Sequence, residues 1–159
     1  MNAVSAQFDI IDNERVYDAK KIQQGTALAF DFGERRIGIA VGEHLIKAAS
    51  PLMQLDEESN DIRFQIITRL VQEWQPTILI VGLPLNLEGE ETTVCQLCRK
   101  FARRLNGRFN LPVVLIDERY SSAEAENLLA EQGIKGRLQK NMLDQMAAAT
   151  ILQQYFDQL

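Results

Sequence analysis

Ala27-Leu28-Ala29-Phe30-Asp31-Phe32-Gly33-Glu34-Arg35-Arg36-Ile37-Gly38-Ile39-Ala40-Val41-Gly42 is a pair of alternating runs on either side of a turn. Successive side chains of a strand point to opposite faces, so Leu28, Phe30 and Phe32 share one face and Ala27, Ala29 and Asp31 the other. Gly33-Glu34 supplies a tight turn. On the return, Ile37, Ile39 and Val41 alternate with Gly38 and Ala40. The stretch reads as an antiparallel hairpin whose small-residue face carries one acid, Asp31, at the end of its first strand.

Downstream, a third short strand is expected over residues 45–49, stopped by Ser50-Pro51. After the acidic loop Asp56-Glu57-Glu58, Ile66, Ile67, Leu70, Val71 and Trp74 fall at helical spacing. Pro76 breaks that helix, and residues 77–81 form a β-branched run suited to a strand buried on both faces. A second helix is expected over about residues 91–106, with the stripe Val94, Leu97, Cys98, Phe101 and Leu105. Residues 113–116 are another buried strand, ending in Asp117-Glu118. Ser121 and Glu124 form a capping box that opens a helix closed by Gly133. A linker over residues 134–140 precedes a last helix over about residues 141–156. Strands alternating with helices imply a parallel central sheet with helices on both faces. The opening hairpin makes this five-stranded sheet mixed.

Residues 1–25 lack a sustained period and are expected to be a flexible or loosely docked extension, leaving residues 26–159 as one domain. The chain's 159 residues suit that count. No apolar run reaches membrane-span length, and no signal-peptide layout opens the chain, so cytoplasmic location is expected. Two cysteines build no disulfide framework. The net charge of −5 argues against a wholly basic nucleic-acid binder, though not against a local basic patch.

Three acids stand out. Asp31 and Glu118 both end strands, where α/β sheets bind ligands. Asp144 shares a helical stripe with Ala147, Ala148, Ile151 and Tyr155. A buried carboxylate needs a counter-charge, and a divalent cation would supply it. Three hard oxygen ligands suit Mg²⁺ or Mn²⁺, and two such ions can clamp the attacking and leaving oxygens of a phosphodiester. Each acid also has a plainer reading: Asp31 as a turn residue, Glu118 paired with Arg119 or capping the next helix, Asp144 paired with Lys140.

Four blocks occur in order: residues 29–42 around Asp31, Val81-Gly-Leu-Pro-Leu-Asn-Leu-Glu-Gly89, Asp117-Glu-Arg-Tyr-Ser-Ser122, and Leu143-Asp-Gln-Met-Ala-Ala148. Together they resemble the YqgF (RuvX) family over about residues 27–157. The resemblance implies a ribonuclease H-like fold and nuclease activity on pre-16S rRNA, with resolution of Holliday junctions as the alternative. It implies catalytic and metal-binding roles for Asp31, Glu118 and Asp144, with Asp117 as an adjacent fourth candidate. Arg119, Ser121 and Ser122 match the polar residues after the family's acidic pair and are expected to hold a phosphate. Ser121-Ser122 stands where threonines are common, which keeps the hydroxyls. The resemblance does not reach residues 1–25.

Other signals compete with this reading. The Asp31-Phe-Gly33 turn also resembles the first phosphate loop of the actin and sugar-kinase superfamily, but that fold needs two domains. Cys95 and Cys98 form a CxxC without partner ligands and are expected in the core, and His44 is expected at the surface. Arg99, Lys100, Arg103, Arg104 and Arg108 read as a solvated helix face or a patch for a phosphate backbone. Lys135, Arg137 and Lys140 are a second basic set, nearer Asp144, of which Arg137 and Lys140 are the favoured nucleic-acid contacts. The expected partner is nucleic acid, precursor rRNA before branched DNA, bound by a monomer or homodimer. A non-catalytic assembly factor that merely binds nucleic acid is the reading from another class.

Overall fold

The structure, a computed structural model, describes residues 9–11, 23–118 and 127–159. The strands are β1 (Asp9–Ile11), β2 (Thr26–Phe32), β3 (Arg36–Glu43), β4 (Ala48–Asp56), β5 (Ile78–Leu83) and β6 (Val113–Asp117). The helices are α1 (Asn60–Trp74), α2 (Thr93–Phe109) and α3 (Gly136–Asp157). They build one sheet in the order β1-β6-β5-β2-β3-β4. β2, β5 and β6 run parallel, while β3, β4 and β1 pair antiparallel with their neighbours. This is the mixed α/β architecture expected, an opening hairpin joined to parallel strands with helices on both faces, with one strand more.

Alternation along β2 divides the core. Leu28 and Phe30 face α1 and α2, where Phe64, Ile67, Phe101 and Leu105 meet them. Ala27 and Ala29 face α3, where Ile151, Leu152, Tyr155 and Phe156 meet them. All six residues of β5 are buried because both its faces are covered. Small residues bring α3 close to the sheet. A Cβ at Gly42 would stand 2.6 Å from the Phe156 ring and 2.5 Å from the Ala48 carbonyl oxygen, so only glycine fits there.

Five expectations need correction. First, the sixth strand lies within the stretch expected to be a loose extension. Asp9, Ile10 and Ile11 pair with Leu115, Val114 and Val113. Ile10 packs on the α3-side core and Ile11 on the other, and Arg99 bridges Asp9 at 2.6 Å. Three residues are too few to display a period, which is why the pattern did not reveal them. Second, β4 does not stop at Pro51 but runs through it. β4 is an edge strand, and the register slips between Ile39 and Ala40, so Pro51 sits at a bulge where a missing N–H is tolerated. Third, most of the expected linker is helix: α3 begins at Gly136 and carries Arg137 and Lys140 in its first turns. Fourth, the buried stripe of α2 is Cys95, Cys98, Phe101, Ala102 and Leu105, whereas Val94 is exposed.

His44 is also not at the surface but 5 % exposed. Its Nδ1 lies 2.8 Å from the Gly25 carbonyl and its Nε2 2.7 Å from the Tyr155 hydroxyl. A carbonyl only accepts, so Nδ1 carries the proton and neutral Nε2 accepts from Tyr155. The ring thereby ties the β3–β4 turn to the end of α3. The capping box at Ser121 and Glu124 lies outside the described residues. Residues 127–131 are helical, and Gly133, at φ +79°, ends them as expected. Its N–H donates to Ala130 and that of Ile134 to Leu129, the paired bonds of a Schellman cap.

Removal of residues 1–24 is expected to leave a chain that still folds, at lower stability. The loss would be two half-buried isoleucines, about 1 kcal/mol each, together with the cover on the β6 edge. Urea denaturation of full-length and shortened chains measures it, and an unchanged midpoint would mean that β1 adds nothing.

Candidate active site

The three acids meet on the α3 face of the sheet. Asp31 continues the Ala27–Ala29 face of β2, Glu118 follows β6 directly, and Asp144 lies two turns into α3. Two glycines make the room. A Cβ at Gly38 would stand 3.6 Å from Asp31 Cβ, 3.6 Å from Ala148 Cβ and 3.8 Å from the Asp144 carbonyl oxygen. A Cβ at Gly82 would stand 3.0 Å from the Glu118 carboxylate and 2.5 Å from Ile151 Cδ1. Gly38 therefore lies between Asp31 and Asp144, and Gly82 lies beneath Glu118. The Glu118 N–H donates to the Leu83 carbonyl at 3.2 Å, keeping the chain alongside β5 as it leaves the sheet.

Burial sets the electrostatics. It pushes the Asp31 carboxyl up to about 6, and the nearby Asp144 charge adds to the rise. Burial pushes Glu118 up to about 8, with Asp31 and then Asp117 adding to it. Asp31 thus senses Asp144, and Glu118 senses Asp31, across the site. Lys140 and Asp144, one turn apart on α3, form no ion pair among the described residues, so the plainer reading of Asp144 fails. Asp117 alternates with Val113 and Leu115, which face α1 and α2; it lies on the other face and does not join the three.

An all-oxygen donor set of three clustered carboxylates fits a hard divalent cation. Among the described residues no three His, Cys, Asp or Glu side chains already enclose a metal position. Arg119, Ser121 and Ser122, the expected phosphate contacts, lie outside the described residues. Arg137 and Lys140 are exposed on α3, with Lys140 one turn and Arg137 two turns before Asp144.

The other basic run is partly taken up by structure. Arg99 pairs with Asp9 and Glu91, the latter at 2.5 Å, and Arg108 lies 4.5 Å over the Phe64 ring. Both belong to α2, across the sheet from Asp31. Cys95 and Cys98 are buried as expected. Burial, with Glu118, Cys95 and Asp31 nearby, pushes the Cys98 thiol up to about 12, so it stays protonated and unreactive.

Sequence reasoning missed Arg63. It is 3 % exposed and donates to the carbonyls of Glu57, Gly33 and Glu34, the Gly33 contact being 3.1 Å. Its guanidinium lies 5.8 Å over the Phe32 ring. It therefore clamps the turn that follows Asp31. The signal was available: Arg63 is in helical phase with Ile67 and Leu70, a charge on a buried stripe.

Comparison with known proteins places this site in context. The model of the family RuvX, described as Holliday junction resolvase, matches residues 25–158. A Methylobacillus flagellatus protein named "Putative pre-16S rRNA nuclease" is 61 % identical over 136 residues, 86 % of this chain and 93 % of its own length. Proteins of the same name from Nitrosomonas europaea and Neisseria meningitidis are 50 % and 52 % identical, covering 88 % and 86 % of this chain and 95 % and 91 % of theirs.

Proposed function

This chain belongs to the RuvX family, and from that premise we propose that it is a divalent-metal-dependent nuclease that acts in the cytoplasm on precursor 16S rRNA. The observation that carries the reading is the pair of half-buried carboxylates Asp31 and Glu118 at the carboxyl ends of β2 and β6, each raised by burial and by a neighbouring acid, with Asp144 of α3 beside Asp31. Such charge is costly unless a cation or a developing positive centre meets it, and perturbed carboxyls in a crevice are a mark of functional sites. In this reading Asp31, Glu118 and Asp144 hold Mg²⁺ or Mn²⁺, which supplies an activated water and charge stabilisation at the phosphodiester.

The chain's own groups do the rest. Asp31 is fixed by its strand and by the Arg63 clamp on the following turn. Gly82 leaves the space that Glu118 fills. Arg137 and Lys140 hold the phosphate backbone beside the acids, with Arg119, Ser121 and Ser122 offered by the resemblance as further contacts. The test is incubation with precursor rRNA and with a four-way DNA junction, each with Mg²⁺, Mn²⁺ or EDTA. Metal-dependent RNA cleavage is expected. Cleavage of the junction alone, by a two-fold dimer, would transfer the reading to a resolvase, and binding without cleavage to an assembly factor.

An acidic protein gripping a polyanion through a local patch should show a steep salt dependence. Replacing Arg137 and Lys140 by Gln is expected to flatten the slope of log affinity against log salt by roughly one unit per contact. Replacing Arg103 and Arg104, which lie across the sheet, is expected to change it less. The reverse ranking would move the substrate path to the α2 face.

A further inference from the structure

A second feature lies beside the carboxylates. Asp31 pairs across the ladder with Gly38, and Gly38 pairs in turn with Gln54 of the edge strand. Directly paired residues project from the same face, so this row runs acid, bare glycine, amide on the α3 side. Neighbouring strands lie about 4.8 Å apart, which puts Gln54 roughly 10 Å from Asp31, with only α3, through the Ala148 methyl, packed over the glycine between them. Above the gap, α3 contributes Asp144 and Gln145. The result is a pocket of about 140 Å³ lined by Gly38, Pro51, Leu52, Met53, Gln54, Asp144 and Gln145. A water takes about 30 Å³ of liquid, so the pocket admits a group of several heavy atoms.

Its lining is unlike that of a phosphate site. No lysine or arginine borders it, and its one charge is the Asp144 carboxylate, so an anion is repelled. The walls are apolar on β4, and the two polar side chains, Gln54 and Gln145, are exposed carboxamides without hydrogen-bond partners among the described residues. A carboxamide both donates and accepts, which suits a sugar hydroxyl or a base edge. The Pro51–Met53 wall comes from the bulged part of β4, where the register slips opposite Ile39 and Ala40. Bulges re-aim side chains beside sites in this way.

We propose that this pocket receives the sugar or base edge of the nucleoside next to the scissile phosphate, set against the Pro51–Met53 wall and hydrogen-bonded by Gln54 and Gln145. The proposal rests on the nuclease reading, because the pocket shares Asp144 with the carboxylate site and adjoins Asp31. A strand whose phosphate lies at the acids must place an adjoining nucleoside within one nucleotide's reach, and this pocket, free of lysine and arginine and carrying two amides, is a space the structure offers for part of it. It also gives the chain a means of sensing the 2′-hydroxyl, the group that separates RNA from DNA at a given position.

The test uses the full chain and a short oligoribonucleotide spanning a cleavage site. Binding is measured in an Asp31→Asn background and cleavage in the wild-type background. Gln54→Ala with Gln145→Ala is expected to weaken binding and raise KM about tenfold while leaving kcat within a few-fold. Both side chains are exposed, so the fold should not suffer. Gly38→Ala is expected to act in the same direction. Its methyl would meet neighbours at ordinary contact distances of 3.6–3.8 Å, narrowing the pocket without a clash.

The deciding measurement is a scan of single 2′-deoxy and single abasic substitutions along the oligonucleotide. At one position next to the cleaved bond, at least one of the two should weaken binding to the parent protein and have no further effect on the double-glutamine variant. A 2′-deoxy effect assigns the amides to the sugar, an abasic effect to the base. Equal penalties in parent and variant, or unchanged affinity in every variant, would overturn the pocket assignment. Cleavage that survives Asp31→Asn would instead overturn the nuclease site itself, so the two failures are distinguishable.

Discussion

Asp31→Asn is expected to lower cleavage by at least about a thousandfold while leaving the protein folded and, without metal, somewhat more stable. A group whose charge acts mainly on the transition state is worth factors of this size when removed. The two effects have opposite signs because one buried carboxylate is responsible for both. Burial and Asp144 hold its carboxyl near 6, so at neutral pH the folded chain carries a charge that its surroundings disfavour. Asparagine keeps the shape and removes the charge. A merely structural Asp31 would show the reverse pattern, loss of stability with cleavage following in proportion. Melting temperature in EDTA and initial cleavage rate in Mn²⁺, measured on one preparation, separate the two. Retained cleavage would sink the site assignment.

Without metal, the fold is expected to weaken as pH rises from about 4 to about 8, and divalent metal is expected to reverse most of that loss. Asp31 and Glu118 have folded-state pKa values raised above their ordinary 3.8 and 4.5. A raised carboxyl is fully tolerated below its unfolded value, where both states are protonated. Above that value the unfolded chain ionises freely while the folded chain resists, so stability falls until the folded pKa is passed. The window runs from about 4 to 6 for Asp31 and from about 4.5 to 8 for Glu118. At about 1.4 kcal/mol per unit the pair removes on the order of several kcal/mol.

His44 works in the opposite direction. Burial lowers its pKa below 6.5, so its contribution is present above that value and lost as pH falls. Between 6.5 and 8 Glu118 titrates alone among these three, and Glu118→Gln should flatten the decline there. Metal binds the deprotonated acids and stabilises whatever state holds it, so the Mn²⁺-induced rise in Tm should be larger at pH 8 than at pH 5. Asp144→Asn should shrink that rise. An equal rise in wild type and Asp144→Asn would remove Asp144 from the metal site.

Much of this protein was legible in the chain because its signals are local. Two alternating runs across Gly33 specify a hairpin, and the small residues Ala27, Ala29 and Gly38 mark the face where a helix must come close. Asp31 on that face and Asp144 in phase with Ala148 and Ile151 could be read from period alone, and the resemblance reached the same acids through ordered motifs. Missed features depend on neighbours remote in sequence. Ile10 and Ile11 look unpatterned until β6 supplies a partner. Pro51 reads as a strand terminator until β4 proves to be an edge with a bulge. His44 looks exposed until Tyr155, 111 residues away, donates its hydroxyl to the ring.

What the chain by itself determined is the inventory of faces: which side of each strand is small or large, which helix carries an acid inward, and which ordered motifs it shares with its family. What only the tertiary structure decided is which faces meet. It placed Asp31, Glu118 and Asp144 on one side of the sheet and Asp117 on the other, put Arg63 against the turn after Asp31, and left bare Gly38 between an acid and an amide. The reason is physical. Period and propensity act over a few residues along the chain, whereas desolvation, charge coupling and the space beside a glycine depend on what lies across the sheet, and those distances exist only once the strands have paired.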